Sequence, residues 1–162
     1  MGNIFDIFKK LEQEREAAGK DPSLYTTVMK DPNNVVEFDN VCTYFFADNG
    51  VVKAVDGVNF AVPKCSTVGV VGESLSLMQL LQRPSGQTVG GQIRFNLGDG
   101  TAYDIVKTPT SKMQEIRGNK ISMIFQEPMT SLNPVFRIGF QVDEVIKLHN
   151  PEMSDEDVKA RT

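Results

Sequence analysis

The chain has 162 residues, with 17 Lys and Arg against 21 Asp and Glu, a net charge of −4 and a pI near 5.0. That balance gives no electrostatic reason to expect a nucleic-acid partner. With 40% hydrophobic residues, one domain with a packed core is expected, and no apolar run approaches the ~18 residues of a membrane span.

The N-terminus lacks the basic, apolar, small-residue order of a secretory signal. Residues 3–18 read as an amphipathic helix. Ile4, Phe8 and Leu11 form its apolar face with Phe5 and Ile7 beside them, and Lys9, Lys10, Glu12, Glu14, Arg15 and Glu16 are polar. Gly19 is placed to end it, and Asp21-Pro22 opens a loop. This arm either touches a membrane surface or partner subunit, or folds onto its own domain. The second is favoured, because Lys9 and Lys10 alone are too few for firm membrane attachment.

A linker over Lys30 to Asn34 precedes Val35 to Val41, which alternates well enough for a strand. Asp48-Asn-Gly50 signals a hairpin, and Val51 to Val62 supplies further strand. Thr67 to Gly72 is short and apolar on both faces, as a buried parallel strand should be. Gln92 to Asn96, after Gly90-Gly91, reads as an edge-type strand. Ser111 to Arg117 reads as a short helix. Lys120 to Phe125 is a second buried strand, expected in the same sheet as Thr67 to Gly72. Ile138 to His149 is a helix, with Ile138, Val142, Val145 and Leu148 near helical spacing, and Ser154 with Asp157 resembles a capping box. The order predicts an α/β fold with an antiparallel β layer near residues 35–62 and an N-terminal helical arm. Residues 1–34 form the arm and linker, and 35–162 the domain. Cys42 and Cys65 are far apart with no metal or redox spacing, which reads as reduced thiols. His149, the one histidine, has no second His or Cys to share a metal with.

Two stretches carry chemistry: Gly69-Val-Val-Gly-Glu-Ser74, and Ile121 to Pro134 with its Phe125-Gln-Glu-Pro-Met-Thr-Ser-Leu-Asn-Pro134. Both resemble the ATP-binding subunits of ABC importers for oligopeptides and dipeptides. The match runs in register from about Val35 onward. Lys53 to Phe60 looks like the family's strand before the phosphate loop, and Ile116-Arg-Gly-Asn119 like its approach to the Q-loop. The resemblance implies an incomplete ABC-type P-loop NTPase domain that works as a dimer and uses ATP and Mg. It implies adenine stacking on Tyr44, with Phe45 and Phe46 as substitutes if the register slips. Gly72, Glu73 and Ser74 would be the entry to the phosphate cradle, where backbone N–H groups and a helix dipole meet anionic oxygens. Gln126 matches the glutamine that contacts magnesium and the attacking water. Gln126 to Gln141 resembles the surface that meets transmembrane permease subunits, beside a second ATPase subunit, on the cytoplasmic face of the membrane.

The departures concern the central chemistry. Against G-x-x-x-x-G-K-[ST], Ser74 runs straight into Leu75 to Leu81, so the lysine and the magnesium-binding hydroxyl are absent. Leu75 to Leu81 looks like the back half of the helix after the loop. Cys65-Ser66 stands where the family prefers Gly-Glu. The signature motif, the Walker B strand and the switch histidine are not in the sequence, and His149 does not match the last. Hydrogen bonds to charged groups contribute about 1.5–3 kcal/mol each, so losing the lysine and two or three amides costs on the order of 5 kcal/mol. At ~1.4 kcal/mol per tenfold, a micromolar site moves to millimolar or beyond. Three readings follow: a fragment or damaged copy of such a subunit, a non-catalytic module docking on permease subunits, and an unrelated α/β binding domain, which the ordered motifs make remote.

Overall fold

The computed structural model describes residues 4–47, 50–70, 75–82, 85–125 and 131–162, with side chains of the first helix described from Lys9. They belong to two compact units, Met1–Arg117 and Gly118–Thr162. The first holds α1 (Ile4–Ala18), β1 (Thr26–Thr27), β2 (Asn34–Ala47), β3 (Gly50–Pro63), α2 (Leu75–Met78), β4 (Gly86–Asn96), β5 (Ala102–Asp104) and α3 (Thr110–Ile116). The second holds α4 (Ile138–His149) and α5 (Asp155–Arg161).

The sheet of the first unit has the order β1-β5-β4-β2-β3, with every pair antiparallel. The expected antiparallel layer is therefore present, and it is wider than residues 35–62. Branched and aromatic residues along β2 suit a pleated, half-buried surface. The Asp48-Asn-Gly50 signal is answered by Ala47 pairing with Gly50, and Phe38 stacks on Phe60 with centroids 4.2 Å apart. Gly91 has φ +82, and a Cβ there would lie 2.3 Å from the Asn40 carbonyl oxygen. It faces a break in register between Asp39 and Cys42, so the glycine pair marks a bulge and a close backbone approach.

Gln92 to Asn96 is a correction. It is part of β4, an interior strand flanked by β2 and β5. The three-residue β5 that pairs with its other side, and the two-residue β1 beyond it, are too short to show any period. The buried strands expected at Thr67 to Gly72 and Lys120 to Phe125 are also corrected. Residues 67–70 are irregular and exposed, residues 71 and 72 lie outside the described set, and residues 122–125 are irregular with Ile124 95% exposed. Among the described residues, neither segment joins the sheet. A parallel strand buried on both faces needs paired neighbours and helices above and below, and pairing among the described strands is wholly antiparallel.

Val36, Val41, Ile93, Phe95, Ala102 and Ile105 are buried, as are Met113 and Ile116 of α3, and together they make up most of the core. The N-terminal arm lies on its own unit: Arg15 Nε donates to the Val106 carbonyl at 3.1 Å, and Ala18 is buried. Glu37 is buried at the start of β2 and accepts from Lys30 N (2.8 Å), Asp31 N (2.8 Å) and Asn34 Nδ2 (2.9 Å), so one carboxylate ties down the whole linker. Arg94 bridges to Asp39 at 3.1 Å beside it.

In the second unit, Ser154 caps α5 as expected: its hydroxyl accepts from Asp157 N at 3.2 Å and donates to the Asp157 carboxylate at 2.7 Å. Lys147 of α4 pairs with Asp155 at 2.5 Å, and Val158 is buried. Among the described residues, no helix is long and apolar enough to cross a membrane.

Candidate functional site

Tyr44 lies among the described residues; Gly72, Glu73, Ser74 and Gln126 lie outside them. The register that pairs Ala47 with Gly50 also sets Tyr44 directly opposite Lys53. Tyr44 Oη donates to Asp56 Oδ1 at 2.6 Å, and Lys53 Nζ reaches Asp56 Oδ2 at 3.2 Å. The same ammonium sits over the Tyr44 ring, 5.2 Å from its centroid. The hydrogen bond to Asp56 holds the phenol above its ordinary range, and the bonds from Tyr44 and Lys53 hold the Asp56 carboxyl below its own. Lys53 is pushed up, chiefly by Asp56. Tyr44 is half-buried, as are Phe45 and Phe46. Strand alternation puts Phe46 on the Tyr44 face and Phe45 on the other, where Phe45 packs over Gly86.

On the opposite face, Thr43 is fully buried, with its hydroxyl 2.9 Å from Ser76 Oγ and 3.3 Å from Thr88 Oγ1. This ties α2 to the sheet. The helix expected over Leu75 to Leu81 is a single turn, Leu75–Met78, because Gln79 turns to φ +50. The Gln79 side-chain amide donates to the Ile105 and Thr108 carbonyls, the latter at 2.9 Å. Arg117 caps the turn, donating from Nε to Met78 O at 2.8 Å and from Nη2 to Gln79 O at 3.2 Å.

In the second unit, Gln141 organises the segment before α4. Its carbonyl accepts from Asn133 N at 2.7 Å, and its amide donates to Asn133 O at 3.0 Å and Phe136 O at 3.1 Å. Around that clamp Val135, Phe136, Ile138 and Phe140 are all more than half exposed.

No protein-family model matches the chain. An oligopeptide transport ATP-binding protein of Bacillus subtilis is 42% identical over 125 residues, which is 72% of this chain and 37% of that protein. A probable peptide ABC transporter ATP-binding protein of Sinorhizobium fredii is 38% identical over 115 residues, 66% of this chain and 33% of its own length. The chain is a homologue of the ATP-binding proteins of peptide ABC transporters. It spans about a third of the length of the curated relatives it matches. A glutathione import ATP-binding protein of Pectobacterium atrosepticum is 38% identical over 130 residues, 75% of this chain and 21% of that protein.

In this peptide-transporter homologue, the sequence singled out Tyr44 and bounded the Gln126 to Gln141 surface at Gln141, but gave no pairing of Tyr44 with Lys53 and Asp56. The signal for Lys53 was present. Counting three residues out along each strand from the Ala47–Gly50 pair sets Tyr44 opposite Lys53. The clamp that Gln141 makes on Asn133 and Phe136 left no such signal, since a glutamine on a helix face looks like any solvated one.

Proposed function

We propose that this chain is part of the ATP-binding subunit of a peptide importer, with the family's role of coupling ATP hydrolysis to import. The observation that carries the reading is identity of 42% over 125 residues to a protein named for oligopeptide transport ATP binding. In this reading residues 35–162 are a partial ABC-type P-loop domain, Tyr44 is the adenine platform, and Gly72, Glu73 and Ser74 lead into the phosphate cradle. Gln126 is the magnesium- and water-contacting glutamine, and Gln126 to Gln141 faces two permease subunits at the cytoplasmic side of the membrane, beside a second ATPase subunit. Tyr44 supports the platform role by position: it is half-buried and held in place through its hydroxyl.

ATP and Mg are the cofactors of that role. Tyr44 fits a purine by chemistry, as an aromatic face fixed in orientation. The sequence from Ser74 to Leu75 does not fit the phosphates, having no lysine and no Ser or Thr after one. Catalysis by this chain alone is therefore not expected. Calorimetry with Mg-ATP tests this: millimolar or weaker binding agrees, and a low-micromolar Kd overturns the energetic argument.

A second reading is favoured by a specific observation. The exposed apolar side chains around Gln141 suit a non-catalytic module that docks on permease subunits. Co-purification with the cognate permease supports it, and failure to co-purify where a full-length relative does removes it.

A further inference from the structure

One face of the Tyr44 ring, a surface on which a purine could stack, is already in use. Lys53 Nζ stands over the ring, 5.2 Å from the centroid. Asp56 anchors that ammonium at 3.2 Å while also accepting the Tyr44 hydroxyl at 2.6 Å. The three residues form one closed circuit on the β2–β3 hairpin: ring to ammonium, ammonium to carboxylate, carboxylate back to phenol. The register of the hairpin builds it, because Lys53 is the direct partner of Tyr44 across the strands. Lys53 and Asp56 are both half-exposed in their side chains, so the circuit can open without unfolding the strands.

We propose that Lys53, held by Asp56, acts as a latch on the purine-stacking face of Tyr44, so that a purine binds only by displacing the ammonium. This rests on the reading of Tyr44 as an adenine platform. The latch sets the affinity of the face and makes it salt-dependent. Screening weakens the Lys53–Asp56 pair, which is exposed on both sides, and a freed lysine leaves the ring open. An uncharged purine should then bind better in high salt, the reverse of the usual trend for a charged nucleotide.

The probe is adenosine, which carries no phosphate and so does not respond to Lys53 as a charge. It is titrated by NMR into the whole chain and into Lys53→Ala, Asp56→Asn and Tyr44→Ala, each checked for an unchanged thermal melt. Lys53→Ala should bind about two- to fivefold more tightly, the ratio set by an exposed cation–π contact. Asp56→Asn keeps an acceptor for the Tyr44 hydroxyl but frees the ammonium, and should gain a smaller factor. Raising NaCl should tighten adenosine binding to the unsubstituted chain and leave Lys53→Ala unchanged. Equal or weaker binding by Lys53→Ala, with Tyr44→Ala losing binding, overturns the latch and leaves the platform standing. Tyr44→Ala binding as well as the unsubstituted chain overturns the platform and the latch with it. Absence of adenosine binding in all four chains overturns both.

Discussion

Replacing Glu37 with alanine is expected to destabilise the first unit by about 3 kcal/mol, out of the 5–15 kcal/mol typical of a domain. Glu37 is 4% exposed and accepts hydrogen bonds from Lys30 N, Asp31 N and Asn34 Nδ2, all at 2.8–2.9 Å, with Arg94 Nη1 at 3.9 Å. Hydrogen bonds to a charged group contribute about 1.5–3 kcal/mol each. The linker that supplies the donors is partly open to water, which takes over some of the loss. Arg94 keeps Asp39 at 3.1 Å and is not stranded. About two of the three bonds then count, at the lower end of the range. Glu37→Gln keeps the shape and one carbonyl, and should lose about half as much. At roughly 3–5 °C per kcal/mol for a unit of this size, Glu37→Ala lowers the Tm by about 10 °C. Burial pushes the Glu37 carboxyl up, but the hydrogen bonds from Asn34, Asp31 and Lys30 and the charge of Arg94 outweigh it, so the net position is below the ordinary 4.5. A folded pKa below the unfolded one gives stability that is complete above 4.5 and lost as pH falls through the folded value. Glu37→Gln should therefore flatten part of the acid limb. Urea melts followed by circular dichroism, from neutral pH down to about pH 3, read both effects. A Glu37→Ala chain within about 0.5 kcal/mol of the parent, the range of an inert surface change, or an acid limb unchanged in Glu37→Gln, would refute the reasoning.

Gly91→Ala should cost more than Gly98→Ala. Both glycines have positive φ, but a Cβ at Gly91 meets the Asn40 backbone at 2.3 Å and one at Gly98 meets nothing within 4 Å. Equilibrium melts should show about 1 kcal/mol for Gly98→Ala and at least twice that for Gly91→Ala; equal losses would place the cost in φ alone. Arg117→Ala removes the caps on Met78 and Gln79, and hydrogen exchange at the Gln79 and Leu80 amides should speed up by about tenfold, as loss of one charged hydrogen bond implies. Asp104 runs opposite to Glu37: burial raises it above its ordinary 3.8 against the pull of Lys107. Its charged form costs stability as pH rises from 3.8 through the folded value, so Asp104→Asn should lack that decline, and denaturant melts across this window check it.

The hairpin, the antiparallel layer, the two longest helices and the Ser154 cap were legible because each rests on local chemistry. An Asp-Asn-Gly hairpin signal, β-branched alternation and a hydroxyl before an acidic turn all act within a few residues. The apolar runs near Val68 and Ile124 misled for the same reason. A buried-strand pattern states what a segment suits, while its burial depends on neighbours far along the chain. β1 and β5 were invisible because two or three residues carry no period, and overlooking them turned an interior strand into an edge. Tyr44 was singled out from motif order. Its partners Lys53 and Asp56 were readable only through register, which had to be counted from the turn.

Apolar burial in this chain is one-sided. Among the described residues, every buried hydrophobic side chain except Val158 belongs to Met1–Arg117. The 45 residues from Gly118 onward expose Ile124, Val135, Phe136, Ile138, Phe140, Val145 and Leu148. On α4, Ile138, Val145 and Leu148 fall at helical spacing, the pattern of a stripe meant for burial. An isolated helix of 12 residues is marginal in water without such burial. The Gln141 clamp and the Lys147–Asp155 pair hold its ends, but exposed polar contacts contribute little against an uncovered stripe. Two outcomes compete, docking on a partner and association between copies, and they differ in their response to charge. Val145→Glu with Leu148→Lys should abolish concentration-dependent association in sedimentation while leaving the melt of the β-sheet unchanged, because the sheet carries its own core. If the double variant still associates, the stripe is not the sticky surface. If the sheet melts earlier as well, the stripe is covered in the folded chain and the two units share their stability.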